Sequence, residues 1–435
     1  MLSHCLQFDP AQPAWAELPA QPGVFALFGA DPNAEPYLSR TPNLRNRLRR
    51  LLDARPQTSP VQSKRLRLAQ STARIEYSLT GSEFEAWLLL YDASLQAFGD
   101  RARKRLHLRP PVLLRMLMEN PYPRVYVTNK VTKRAADNLF GPWQSRAAAE
   151  IFLETMLNLF ELRRCVEELN PDPAFPGCIY SEMKKCMAPC FKGCTDDRYA
   201  QEAQAVYAFL NTRGASLIAE LSKQRDEAST SLDFEKAAEI HTRLTKVESA
   251  ASLMAPAVRA LDDLNGVIVQ PSSEPEHVAL FLLTQGCLAG PVPYSVAGMR
   301  HQNEQSGSSS LFSQPVALQP VPLDESGAPA VKLAARDALE SRLDDAIAAL
   351  QEHAKENLSG PQQTADHLCL FSRWYYRPQA KRVGEICFTH PDGNLPKKAL
   401  LRAISRVYRQ NSPQTADVSN KDTSATSGPS GQSSA

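Results

Sequence analysis

Long apolar runs are what this 435-residue chain most plainly lacks. No uninterrupted stretch approaches the roughly 20 apolar residues that a membrane-spanning helix requires, so no membrane partner is expected. The opening MLSHCLQFDPAQPAW has no basic segment followed by an apolar one, which excludes a secretory leader on this reading and makes the cytoplasm the expected compartment. Acidic residues are scarce in one strongly basic stretch. Between Arg40 and Arg74 there are ten Lys/Arg and a single acid, Asp53, although the whole chain carries a net charge of only +2. Such a local field suits nucleic acid; a solvated helix face is the plainer alternative. The length implies two to four domains, and 43% hydrophobic residues suffice for globular folding.

What is present reads as alternating small α/β and helical regions. Val24–Phe28 and Tyr37–Ser39 have strand character, and Thr41-Pro42 then marks a helix start. In that helix Leu44, Leu48, Leu51 and Leu52 share one face, Arg45, Arg49 and Arg50 point away, and Arg47 falls at the border of the apolar arc. RIEYSLT (74–80) is a further strand, and Ser82 with Glu85 forms a capping box ahead of EAWLLLYDASLQAF. PRVYVT (123–128) reads as a strand, and Ser145–Cys165 as one helix. From Asp196 to about Met254 the pattern is helical: Ala237, Ile240, Leu244, Val247, Ala251 and Met254 form a heptad seam, while Leu217, Leu221 and Ala228 supply its partner face. An antiparallel helical hairpin is expected, turning at STSLD. After Pro256 strands are expected around NGVIVQ and EHVALFLLTQGCLAG, a loop at HQNEQSGSSSLFSQP, and a helix at ALESRLDDAIAALQEHA. The apolar-poor tail from residue 411 is expected to be disordered.

Five of the nine cysteines lie between Cys165 and Cys194. Where disulfides are uncommon, clustering of this kind favours metal ligation. Cys165, Cys178, Cys186 and Cys190 are separated by twelve, seven and three residues. Four thiolates can hold tetrahedral zinc or an iron–sulfur cluster, or can be reduced core thiols, and the spacing alone does not choose. Lys184, Lys185 and Lys192 beside them could lower the thiol pKa values or meet DNA phosphates; Cys194 is read as a bystander.

The order of three motifs resembles the UvrC family, the nuclease subunit of bacterial nucleotide excision repair: GVF and YLS before NLRNRLRRLL, the cysteine series around CMAPC, and DFEKAAEIHTRL. The resemblance covers roughly residues 20–290. It implies an α+β multidomain chain: a degenerate GIY-YIG-like α/β nuclease domain (15–107), a Cys-rich helical domain (108–200), an antiparallel UVR helical hairpin (205–254), an α/β region of unassigned role (257–410) and the tail. The RNase H-like and helix-hairpin-helix parts of a full-length member are not seen here. It further implies DNA and UvrB as partners, the latter met by Phe234, Ala237, Ile240 and Leu244, and a [4Fe–4S] cluster on Cys165, Cys178, Cys186 and Cys190, with zinc as the alternative.

By the same resemblance Tyr37, Arg47 and Arg40 take the positions of a catalytic tyrosine, an arginine and a lysine. Several positions depart from the family pattern, Ser39, Leu51 and Pro111 among them, and two bear most on catalysis. Phe25 replaces a tyrosine, and Leu90 stands where the family's metal-binding glutamate belongs. Ala86, Trp87, Ala93 and Ser94 share the helix face of Leu90, and Asp92 points elsewhere. Glu83 has a similar azimuth but lies about 10 Å away along the axis. The expectation is therefore a repair protein that binds DNA and docks on UvrB without metal-dependent incision. An active endonuclease using Mg²⁺ or Mn²⁺ and an iron–sulfur interaction protein are the alternatives.

Overall fold

The computed structural model describes residues 2–11, 15–31, 33–52, 64–132, 138–297, 299, 330–356 and 360–411. The loop expected at 301–315 and the tail after Asn411 lie outside these residues. Among the described residues three four-stranded antiparallel sheets carry helices on their faces, the α+β arrangement expected.

The first sheet has the order β1-β4-β2-β3, from β1 (His4–Gln7), β2 (Gly23–Gly29), β3 (Tyr37–Thr41) and β4 (Thr72–Leu79). Gly23 opens β2 where a Cβ would stand 2.4 Å from the Ser78 carbonyl oxygen, so no larger residue fits. Helix α1 (Leu44–Leu52) buries Leu44, Leu48, Leu51 and Leu52, the face its periodicity defines. It is followed by α2 (Lys64–Ser71), α3 (Glu83–Phe98) and the short α4 (Ala102–Arg105).

The second sheet, β6-β5-β7-β8, combines β5 (Val112–Met116), β6 (Val125–Thr128) and β7 (Leu139–Trp143) with β8 (Arg259–Ala260). One core joins it to α5 (Arg146–Leu157), α7 (Asp196–Asn211), α8 (Ala215–Thr230) and α9 (Phe234–Ser252), while the single-turn α6 (Ile179–Glu182) lies within the cysteine-rich stretch. The helix expected to run to Cys165 stops at Leu157. Arg164 folds back and donates Nη2 to the Leu157 carbonyl (2.7 Å) and to Asn158 Oδ1 (2.9 Å), satisfying the helix end and turning the chain toward the cysteines.

The third sheet, β11-β10-β9-β12, contains β9 (Gly266–Pro271), β10 (His277–Thr284), β11 (Cys287–Ser295) and β12 (Glu385–Phe388). Leu280 and Leu282 turn toward α10 (Ala330–Glu356) and α12 (Lys397–Asn411), whereas Phe281 and Leu283 join Leu368 and Phe371 of α11 (Pro361–Tyr375). That second core also takes in Phe84, Leu88 and Tyr91 of α3. Helix α3 is thus wedged between the first and third sheets. Asp366 of α11, 2% exposed, reinforces the junction by accepting from Tyr91 Oη (3.0 Å) and Arg103 Nε (2.6 Å).

Candidate functional site

Strand β2 alternates between two cores. Phe25 and Leu27 turn to the leucines of α1, with Tyr37 at the edge of the same cluster. Val24 and Ala26 turn to the opposite face, against Ala86 and Leu90 of α3. Strand register carries the division to β3, because Leu27 faces Tyr37 and Val24 faces Arg40. Phe25 and Tyr37, with ring centroids 6.2 Å apart, therefore share the α1 side, while Arg40 and Leu90 stand on the α3 side. Arg47 is half-buried on α1, as its border position requires, and no ion pair among the described residues holds its guanidinium.

On the α3 side Glu83 and Glu85 are already committed. Leu90 is 6% exposed within an apolar cluster. Glu83 accepts a two-pronged contact from Arg377 (2.7 and 2.9 Å), pairs with Arg40 at 2.9 Å and accepts from Trp87 Nε1 at 3.3 Å. The Arg377 hydrogen bonds, together with the Arg40 and Arg377 charges, lower its pKa to about 2. Arg40 and Arg373 both lie over the Trp87 ring, at 4.4 and 4.2 Å from its centroid. Arg40, at the position of the family's lysine, is thus stacked and ion-paired.

Glu85 completes the expected cap. Its amide donates to Ser82 Oγ (3.1 Å) and its Oε2 accepts from Gly81 N (2.7 Å). Burial raises its pKa from 4.5 to about 7. Between those values the folded chain retains a proton that the unfolded chain releases, so this group makes stability fall as pH rises through the window. Glu85→Gln is expected to flatten the fall in melting temperature between about pH 5 and about pH 8. Parallel curves for the two proteins would rule Glu85 out as the titrating group.

The helical hairpin forms with α8 and α9 antiparallel, and Leu221, Ala228, Leu244, Val247 and Ala250 turned inward. The four residues read as partner contacts divide. Phe234 is 65% exposed beside Leu232 at 72%, and Ala237 and Ile240 are half-buried. Leu244 is 4% exposed and belongs to the core shared with α5 and α7, so it is not available to a partner. The heptad seam serves the chain's own packing, and the apolar residues at the turn stay free. Asp233 caps α9 by accepting from Lys236 N (3.2 Å), fixing the backbone from which Phe234 projects.

In the cysteine-rich stretch the thiols act on one another electrostatically. Cys186 is raised to about 11 by burial first and then by Cys165, Cys178 and Cys190; Cys190 is raised by burial, Cys178 and Cys165. At Cys186 and Cys190 the shift is upward, not the downward one considered from sequence, because burial and then the neighbouring cysteines outweigh any effect of the lysines. Cys186 Sγ accepts from Ala188 N (3.4 Å), and the loop holds Lys184, Ala188 and Lys192 in the left-handed region (φ 53°, 57° and 58°). Left-handed non-glycine residues cost about 1–3 kcal/mol each and persist only where the surroundings enforce them. Among the described residues no three His, Cys, Asp or Glu side chains stand at the spacing of a closed metal site. The donor set nonetheless suits a thiolate-bound metal: Cys165 and Cys186 each accept an N–H···S contact, and Cys186 and Cys190 lie on a strained loop. Cys194, raised by burial and then by Asp196, is the fifth.

Comparison with known proteins bears on these two regions. Residues 112–209 match the family described as UvrC/Cho excinuclease, middle domain, and residues 215–250 match the UvrB/uvrC motif. UvrABC system protein C of Rickettsia bellii is 27% identical over 309 residues, covering 70% of this chain and 47% of that protein. The chain resembles the UvrC family in both matched regions. UvrABC system protein C of Moorella thermoacetica (27% over 288 residues, 65% of this chain and 45% of that protein) and of Desulforudis audaxviator (25% over 323 residues, 71% and 50%) are similar to it as well. The chain spans about half the length of the relatives it matches. No solved structure matches it. The middle-domain match holds all five clustered cysteines, and the motif match holds Leu232 and Phe234.

Two residues escape sequence reading. Arg377 lies 294 positions from the Glu83 it grips, so no local pattern shows the pair. Arg163 sits two residues before Cys165 and is 1% exposed. A basic pair at 163–164 beside a cysteine was the available signal.

Proposed function

We propose that this protein works in nucleotide excision repair as a UvrC-type component that binds DNA and docks on UvrB, and that its Tyr37 lobe (15–107) does not cut. The observation that carries docking is the exposed Leu232–Phe234 turn inside a region matching the UvrB/uvrC motif. Exposed apolar side chains at a capped, rigid turn are the form an anchor takes before its partner arrives.

The absence of incision is supported by the placement of the acids. Divalent ions in phosphodiester hydrolysis need carboxylate oxygens at roughly 2.0–2.6 Å. Leu90 offers none, Glu83 is clamped by Arg377 and Arg40, and Glu85 serves as a cap. Arg49 and Arg50, both exposed, and half-buried Arg47 suit phosphate contacts that hold DNA. Such binding is expected to weaken as ionic strength rises.

The deciding experiment is a nicking assay on lesion-containing duplex with Mg²⁺ or Mn²⁺, with and without UvrA and UvrB. The expected result is no incision with UvrB binding retained. Metal-dependent nicks lost in both Arg47→Ala and Tyr37→Phe would overturn this reading. We further propose that Cys165, Cys178, Cys186 and Cys190 hold a [4Fe–4S] cluster, or zinc in its place. Bound there, the metal would cross-link segments that now meet only through loop contacts.

A further inference from the structure

Arg163 is the largest fully buried side chain among the described residues, and its surroundings are unusual for a cation. Nε donates to the Tyr122 carbonyl (2.9 Å) and Nη1 to the Glu167 carbonyl (3.0 Å) and to Cys165 Sγ (3.6 Å). Its own amide donates to Tyr199 Oη (3.1 Å), which in turn donates to the Pro123 carbonyl (2.8 Å). No Asp or Glu among the described residues forms an ion pair with it. Carbonyl oxygens accept from Nε and Nη1 but do not neutralise the charge, and an uncompensated buried charge is strongly destabilising. Among the described residues, the ionisable acid to which its guanidinium donates is the Cys165 thiol.

We propose that Arg163 is the counter-ion and positioning residue of the four-cysteine centre, acting through Cys165; this rests on the metal reading given above. The charge argument holds for either metal. Four thiolates around zinc, or around an oxidised [4Fe–4S] core, leave a dianion beside which a buried guanidinium is stabilised. Geometry adds a second element. Nε and Nη1 anchor the guanidinium to the carbonyls of Tyr122 and Glu167, so its N–H···S contact holds the direction of the first ligand. Outer partners of this type set both metal affinity and reduction potential.

The test uses the full chain, as purified and after anaerobic reconstitution with ferrous iron and sulfide, with Zn²⁺ alone in parallel. Arg163→Met is expected to weaken Zn²⁺ binding by about 10- to 100-fold in a chelator competition, and to shift the midpoint of any loaded cluster to a more negative potential. In a Cys165→Ser background the same change is expected to have little further effect. Arg163→Lys keeps the charge and serves if the methionine variant does not fold; it is expected to load metal, with a midpoint close to that of the parent. Cys194→Ser is expected to change neither quantity. Uptake of neither metal by the parent would overturn the cysteine-site reading, and this inference with it. Normal uptake and potential in Arg163→Met, or additive losses with Cys165→Ser, would overturn the role of Arg163 alone. Loss of uptake in Arg163→Lys as deep as in Cys165→Ser would also overturn it.

Discussion

Replacing Phe234 by alanine is expected to weaken binding to UvrB by about 2–4 kcal/mol, roughly 30- to 1000-fold in Kd, with little effect on the melting temperature. The two halves of that expectation have one cause. Phe234 is 65% exposed, so truncating it removes little area buried by folding, while an aromatic ring at a fixed turn supplies most of what a small interface can gain. Leu244→Ala makes the contrast. This residue, 4% exposed in the shared core, is expected to cost about 2–5 kcal/mol of folding stability. Calorimetric titration of the purified proteins, with thermal melts beside it, separates the two. Unchanged affinity in Phe234→Ala would remove the docking proposal. A collapse of the fold would show the ring to be structural after all.

The same pair of residues shows how far the sequence could be read. The heptad seam, the α1 leucine face and the Ser82–Glu85 cap are properties of neighbours three or four positions apart, and each formed where periodicity placed it. The seam could not say whether its residues face a partner or the chain itself, since both surfaces are apolar. Burial divided them. The stretch EHVALFLLTQGCLAG hid a hairpin, β10 and β11, because the third sheet is covered on both faces and its strands do not alternate polar with apolar. Strands β5 and β7 were missed, and the helix at 145–165 was drawn too long because Arg164 closes it through a side chain. At the candidate site the degenerate positions were readable one by one. Their division between two faces of β2 depends on strand register, and the Glu83–Arg377 clamp on a contact between regions almost 300 residues apart. The Arg163–Cys165 contact was local in sequence, but a guanidinium two positions from a thiol has no periodic signature until burial removes every competing acid.

Restoring a carboxylate at the degenerate position is expected to cost stability and to confer no activity. Leu90 packs with Leu2, Val24, Ala26 and Ala86, and none of these can accept or donate through its side chain. Leu90→Glu would place an acid there without a partner, and a loss of about 3–5 kcal/mol is expected when the acid is ionised. Arg40 stands on the same face but is held by Glu83 and Trp87, so it does not arrive free to neutralise the new charge. The pH dependence identifies the cause. A buried carboxyl has its pKa raised, so the folded variant binds a proton that the unfolded one has lost, and the deficit grows as pH rises. Denaturant unfolding is therefore expected to show a smaller penalty near pH 5 than near pH 8, and Mn²⁺ is expected to change neither. A variant as stable as the parent, further stabilised by Mn²⁺, would mean that the face carrying Leu90 still forms a metal cradle lacking only its ligand. A pH-dependent loss insensitive to Mn²⁺ would mean that the packing of α3 against β2 has moved past the point where one substitution restores incision. That outcome would leave Arg47 and its neighbours on α1 as residues that hold DNA.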